Sequence, residues 1–144
     1  MLHRMVMIAE ARIELGMGAL NGDLGIILSC CMKSSVDQQM TGALVWDAGY
    51  FFEVLEGRAE ALRAFHDRIA GDARIAGLQL LEFLPVTRRD FDTWAVGTPG
   101  PRQWDRALLA AARDGTATAA DVRSFVSRVM TRGTLAESPP LVAA

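Results

Sequence analysis

Residues 50–55 read YFFEVL, a run apolar on both faces of a strand. Side chains two apart along a strand share a face. Tyr50, Phe52 and Val54 therefore line one side, and Phe51, Glu53 and Leu55 line the other. A strand of this kind belongs inside a sheet that is covered on both sides. A chain of 144 residues is one domain in length. The run also sets a problem: Glu53 is an ionisable group placed between Phe51 and Leu55.

The flanking sequence supplies the rest of such a sheet. Residues 4–9, RMVMIA, predict a first strand. Leu20, Leu24, Ile27, Leu28 and Cys31 fall on one helical face and predict a helix over 19–35. Gly22 and Gly25 lower its propensity by about 1 kcal/mol each, so it depends on packing or on close approach to something. The runs 42–47 and 50–55 flank Asp47-Ala48-Gly49 and predict a hairpin. Residues 58–70 carry the stripe Leu62, Phe65 and Ile69 and predict a second helix, with His66 at its boundary. GDAR reads as a turn, 78–85 as a strand, and 94–98 as a last short strand. This order, β-α-β-β-α-β-β, predicts an α+β, ferredoxin-like mixed sheet with two helices on one face.

The C-terminal part offers cover for the other face. Residues 104–113 predict a short helix, and Thr118 and Asp121 are spaced as a capping box with Asp in place of Glu. Val122, Phe125, Val126, Val129 and Met130 then make the cleanest amphipathic stripe in the chain. The expected division is a domain over 1–98 and a helical extension over 99–144, whose tail GTLAESPPLVAA is expected to fray.

Composition narrows the function classes. The formal net charge is -2, which gives no electrostatic basis for nucleic-acid binding. No apolar run approaches the ~18 residues of a membrane span, and the first residues make a poor signal peptide, so the cytoplasm is expected. Cys30 and Cys31 are adjacent, where helical side chains diverge, and with His3 and His66 they make no metal-ligand spacing. Phosphate-cradling glycine motifs, HExxH and serine nucleophile elbows are missing, so an enzyme is not expected. Arg88 and Arg89 read as a solvated loop pair. Glu53, Ser34-Ser35 and Trp94 stand out. A covered Glu53 has its pKa raised and can donate a hydrogen bond, unless Arg74 or a water satisfies it.

TGALVWDAGYFFEVLEG, then DARI, then PVTRRDFDTWAVG resemble, in this order and within residues 1–98, the BLUF domain, the flavin-dependent blue-light sensor. The resemblance implies FAD held between the two helices, a C-terminal helical extension, and frequent self-association. It further implies a first-strand tyrosine that donates an electron and a proton, a glutamine linking it to the ring, and an asparagine on the first helix. Readout passes through a tryptophan or methionine on the last strand. On these positions the chain carries Met7 for the tyrosine, Ser35 for the asparagine and Glu53 for the glutamine. Trp94 matches the tryptophan, and Val96 stands for the methionine. Arg74 matches an arginine near the flavin phosphates, with Ile75 in place of a histidine. Ile27, Leu44, Phe51 and Ile69 match ring-packing residues.

Met7 has no hydroxyl to transfer, an ionised Glu53 only accepts, and Ser35 is shorter than asparagine. The expected function is therefore a sensory or regulatory protein acting on an unidentified protein partner, as a homo-oligomer, with its photochemistry lost or altered. One alternative is an FAD-binding photoreceptor with atypical chemistry at Glu53. Another is a small enzyme using Glu53 as acid or base. If FAD is absent, the slot is expected to be filled by side chains such as Met7 and Met32, by helix approach, or by another ligand.

Overall fold

A computed structural model describes residues 1–11, 31–100, 103–134 and 136–141. Strands β1 (Leu2–Ala11), β2 (Thr41–Asp47), β3 (Tyr50–Arg58), β4 (Ile75–Pro85), β5 (Trp94–Gly97) and β6 (Ala136–Glu137) form one sheet in the order β4-β1-β3-β2-β5-β6. Residues 31–37 are helical (α1), followed by α2 (Ala59–Ala70), α3 (Arg106–Asp114) and α4 (Ala119–Arg132). β2 and β5 run parallel, and the other pairings are antiparallel. The ferredoxin-like reading and the α+β class hold.

β3 is an interior strand, as its two apolar faces require. One core layer gathers Met5, Met7, Leu44, Phe51, Leu55 and Trp94 with Leu62 and Phe65 of α2. The opposite layer gathers Val6, Ile8, Val45, Phe52 and Val54 with Val122, Phe125, Val126 and Val129 of α4. Phe125 meets Phe52 edge-on at 5.4 Å. The C-terminal helices thus cover the sheet face opposite α2. Tyr50 packs with this second layer, away from Glu53. Thr118 is the N-cap of α4 and accepts from Asp121 N at 3.1 Å.

One glycine is indispensable to this sheet. Gly42 has φ +146, and a Cβ there would lie 1.9 Å from the Val54 carbonyl oxygen. Only glycine allows β2 to approach β3 that closely.

The tail departs from expectation. Residues 136–141 do not fray but dock against β5. Ser138 N donates to Trp94 O at 2.8 Å, Trp94 N donates to Ser138 Oγ at 2.8 Å, and Leu141 N donates to Asp92 O at 3.1 Å. Without them, β5 would present unpaired backbone groups at a sheet edge, which the tail satisfies. Two paired residues carry no periodicity, so nothing in the tail's pattern signals the docking. Among the described residues, no helix is long and apolar enough to cross a membrane.

Candidate functional site

β1 and β3 place Met7 and Glu53 directly opposite each other in register. β2 adds Leu44 on the other side of Glu53. All three side chains line a cavity of about 80 Å³ between the sheet and the helices. Phe51, Phe65 and Ile69 add apolar wall, and Ser34, Arg68, Asp72 and Arg74 add polar groups.

Glu53 is 3% exposed. Burial pushes its carboxyl up to about 8, and only a hydrogen bond from Trp94 works against that rise. Trp94 Nε1 donates to Glu53 Oε2 at 3.2 Å. The other oxygen, Oε1, has no hydrogen-bond partner among the described residues, and Glu53 is one of the residues that line the cavity. Arg74 does not reach Glu53. It forms a fork with Asp72, at 3.0 Å to Oδ1 and 2.8 Å to Oδ2, and holds the Asp72 carboxyl below its usual range. Arg68 donates to Ser34 Oγ at 2.8 Å.

The structure brings Met7, Leu44, Phe51, Glu53, Ile69 and Arg74 together around one cavity. Trp94 stands behind Glu53 rather than in the wall. Ser35 is placed otherwise: it is buried, its Oγ has no partner among the described residues, and Ser34 takes the position in the wall. Met32 packs at the margin of the same core layer. Ile27, Gly22, Gly25 and Cys30 lie outside the described residues. Met7 lines the cavity, whose remaining volume is about 80 Å³.

Glu56 was missed by the sequence reading. This buried carboxylate accepts from Thr41 Oγ1 at 3.0 Å, Asp90 N at 2.6 Å and Phe91 N at 3.1 Å. Arg89 donates to Thr41 Oγ1 and to Glu56 O. Arg89 is therefore part of a fastener between β3 and the loop before β5, not half of a solvated pair. The signal was present in the LEG…RRDF spacing, but its pairing spans more than thirty residues.

The chemistry of this site suits a planar heterocycle: apolar walls, one polar group at the floor, arginines among its lining. Its enclosed volume is below the roughly 300–1,000 Å³ of ordinary ligand pockets, so a ring enters only if the walls part.

Comparison with solved structures places the fold. The ground state of BlsA superposes with a TM-score of 0.71 at 18% identity, covering 100% of this chain and 95% of that one. A bacterial light-regulated adenylyl cyclase gives 0.60 at 22% identity, covering 92% of this chain but 36% of the cyclase. BlrP1 of Klebsiella pneumoniae, in a manganese and cyclic-diGMP complex, gives 0.59 at 23% identity, covering 78% of this chain and 28% of BlrP1. This chain thus spans about a third of those two proteins. A search of curated proteins finds no match. The family described as sensors of blue light using FAD matches residues 4–97, most of the chain and the sheet from within β1 through β5. BLUF domains are sensory modules that bind flavin, and this chain belongs to the BLUF family.

Proposed function

We propose that this protein is a BLUF-fold sensory or regulatory protein that acts by contact with a protein partner, with the family's blue-light chemistry lost or altered. The observation that carries this reading is the Met7–Glu53 pair at the cavity floor. A thioether has no proton to give and accepts only weakly. The position where the resemblance asks for a donating tyrosine therefore contributes packing alone. Tyr50, the chain's single tyrosine, lies on the opposite face and offers no substitute.

The absorption spectrum of the purified protein tests this. The expected result is no reversible red shift of flavin bands under blue light. A yellow protein showing that shift overturns the reading. The triple variant Met7→Tyr, Ser35→Asn, Glu53→Gln is expected to gain flavin binding if the cavity is an intact relic of a flavin slot. Self-association belongs to the same reading and is checked by light scattering over a concentration series.

A second reading has its own observation. Glu53 lines the cavity between the apolar Met7 and Leu44, where its carboxyl can serve as a polar contact for a ring. In this reading flavin still binds and the chemistry around it differs. FAD, when bound, supplies the blue-light absorption. Glu53 orients it, while Phe51, Phe65 and Ile69 exclude water.

A further inference from the structure

The sheet face opposite Glu53 carries a second cavity. It lies between α4 and the loop that leads into β5, has Val54 of β3 in its lining, and holds about 360 Å³. That is within the roughly 300–1,000 Å³ of ordinary ligand pockets, unlike the space beside Glu53. α4 lines it with Ala120, Arg123, Ser124 and Ser127, which recur at i, i+3, i+4 and i+7 and share one helical face. The loop lines it with Asp90 and Phe91. The Glu56 carboxylate accepts from the backbone N–H groups of both loop residues, so this wall is fixed before any ligand arrives.

Arg123 is the uncommitted charge of the groove. Its Nε is enclosed and makes no hydrogen bond to a described residue. Glu82 Oε2 stands 3.8 Å from it and is engaged by Arg4 Nε at 2.7 Å instead. Enclosure of Nε holds the stem of the guanidinium, while the terminal nitrogens donate to no described residue. A planar fork held in this way suits a carboxylate, which accepts two parallel N–H bonds. Asp90 is the complementary group. Its side chain is largely exposed, 3.9 Å from Arg4 Nη1, and it does not pair with Arg123 across the groove. One lining therefore holds a cation and an anion that are kept apart, together with the apolar Val54 and Phe91.

We propose that this groove binds a free α-amino acid with an apolar side chain. The ligand carboxylate takes the Arg123 fork and the exposed hydroxyls of Ser124 and Ser127, the ammonium takes Asp90, and the side chain covers Val54 and Phe91. Both ligand charges are needed. A ligand that is only an anion meets Asp90 without a partner for it, and one that is only a cation leaves Arg123 unmatched. Arg4 and Glu82, the nearest other charges, pair with each other and leave this selection in place. The site does not depend on what the Glu53 cavity holds.

The probe is L-phenylalanine, titrated calorimetrically into the wild-type protein beside L-phenylalaninamide, which lacks the carboxylate, and N-acetyl-L-phenylalanine, which lacks the ammonium. L-Phenylalanine is expected to bind, and each analogue to bind about tenfold more weakly or worse, the loss of one charged hydrogen-bonded contact. These comparisons leave the protein unaltered, so misfolding cannot imitate the result. Arg123→Gln and Asp90→Asn are each expected to weaken L-phenylalanine by about tenfold or more. Asp90→Asn is expected to leave N-acetyl-L-phenylalanine bound as well as before or better, which an unfolded variant would not do. If the three compounds bind alike, the charge pairing assigned to Arg123 and Asp90 is wrong. If neither L-phenylalanine nor L-leucine binds the folded wild-type protein at several millimolar, the groove is a solvated crevice and the proposal fails.

Discussion

Trp94 Nε1 donates to Glu53 Oε2 at 3.2 Å across 41 residues of sequence, and both side chains are buried. A neutral carboxyl is the form this setting favours. Its folded pKa is about 8 against an ordinary 4.5, so the native state holds a proton that the unfolded chain gives up between those values. The stability linked to Glu53 is complete below the unfolded pKa and is lost as pH rises through the folded one. Relative to Glu53→Gln, the wild-type unfolding free energy is expected to fall between about pH 5 and about pH 8, by an amount on the order of several kcal/mol in full, and the denaturation midpoint with it. Urea titrations of the two proteins in parallel check this, and parallel pH profiles count against it.

Glu56 is expected to behave in the opposite manner to a surface carboxylate. It satisfies three donors, two of them backbone N–H groups of the loop that leads into β5. Glu56→Ala strands these donors in a buried place. The expected cost is about 3 kcal/mol or more. Arg89→Ala removes two bonds from a half-exposed side chain and is expected to cost less. Chemical denaturation ranks the two.

Gly42→Ala should be the most damaging alanine substitution among the described glycines. Its Cβ would meet the Val54 carbonyl at 1.9 Å, in a backbone conformation that disfavours side chains. A loss of more than about 3 kcal/mol is expected, because β2 must part from β3 to admit the methyl. Soluble yield and far-ultraviolet circular dichroism read the outcome. A well-folded variant of wild-type stability would show that the sheet yields there.

Ser138→Ala tests the docking of the tail. It removes the acceptor of Trp94 N without touching the Trp94 side chain. Destabilisation of about 1 kcal/mol is expected. Hydrogen exchange at the Trp94 amide is the sharper measurement, since that group loses its protein partner; exchange is expected to quicken by about tenfold.

The alternation in YFFEVL and the stripe of Val122, Phe125, Val126 and Val129 made the two-sided sheet legible, because burial on a repeating period leaves a mark in sequence. Glu53 was legible as an anomaly for the same reason. Its partner was not. Trp94 reaches it only because β5 pairs with β2, a contact that no local pattern specifies. Ser34 and Ser35 illustrate a finer limit. Their order was plain, but which one enters the cavity wall depends on a rotation of α1 by less than a third of a turn. Arg89 and Glu56 failed for lack of any period, since each is a single polar residue whose meaning comes from a distant loop.

The irregular pairing of β1 with β4 bears on solubility. Among the described strands, β4 is the long free edge of the sheet, with Leu80 exposed on it. A straight edge of that composition invites pairing with a second chain. The register shifts at Val6/Met7 and Ile8/Glu10, and Gly77 stands at φ +54 within β4. Such breaks twist and interrupt an edge, leaving an incoming strand no long uniform run to zip onto. Ironing them out would give a tidier ladder and a stickier protein.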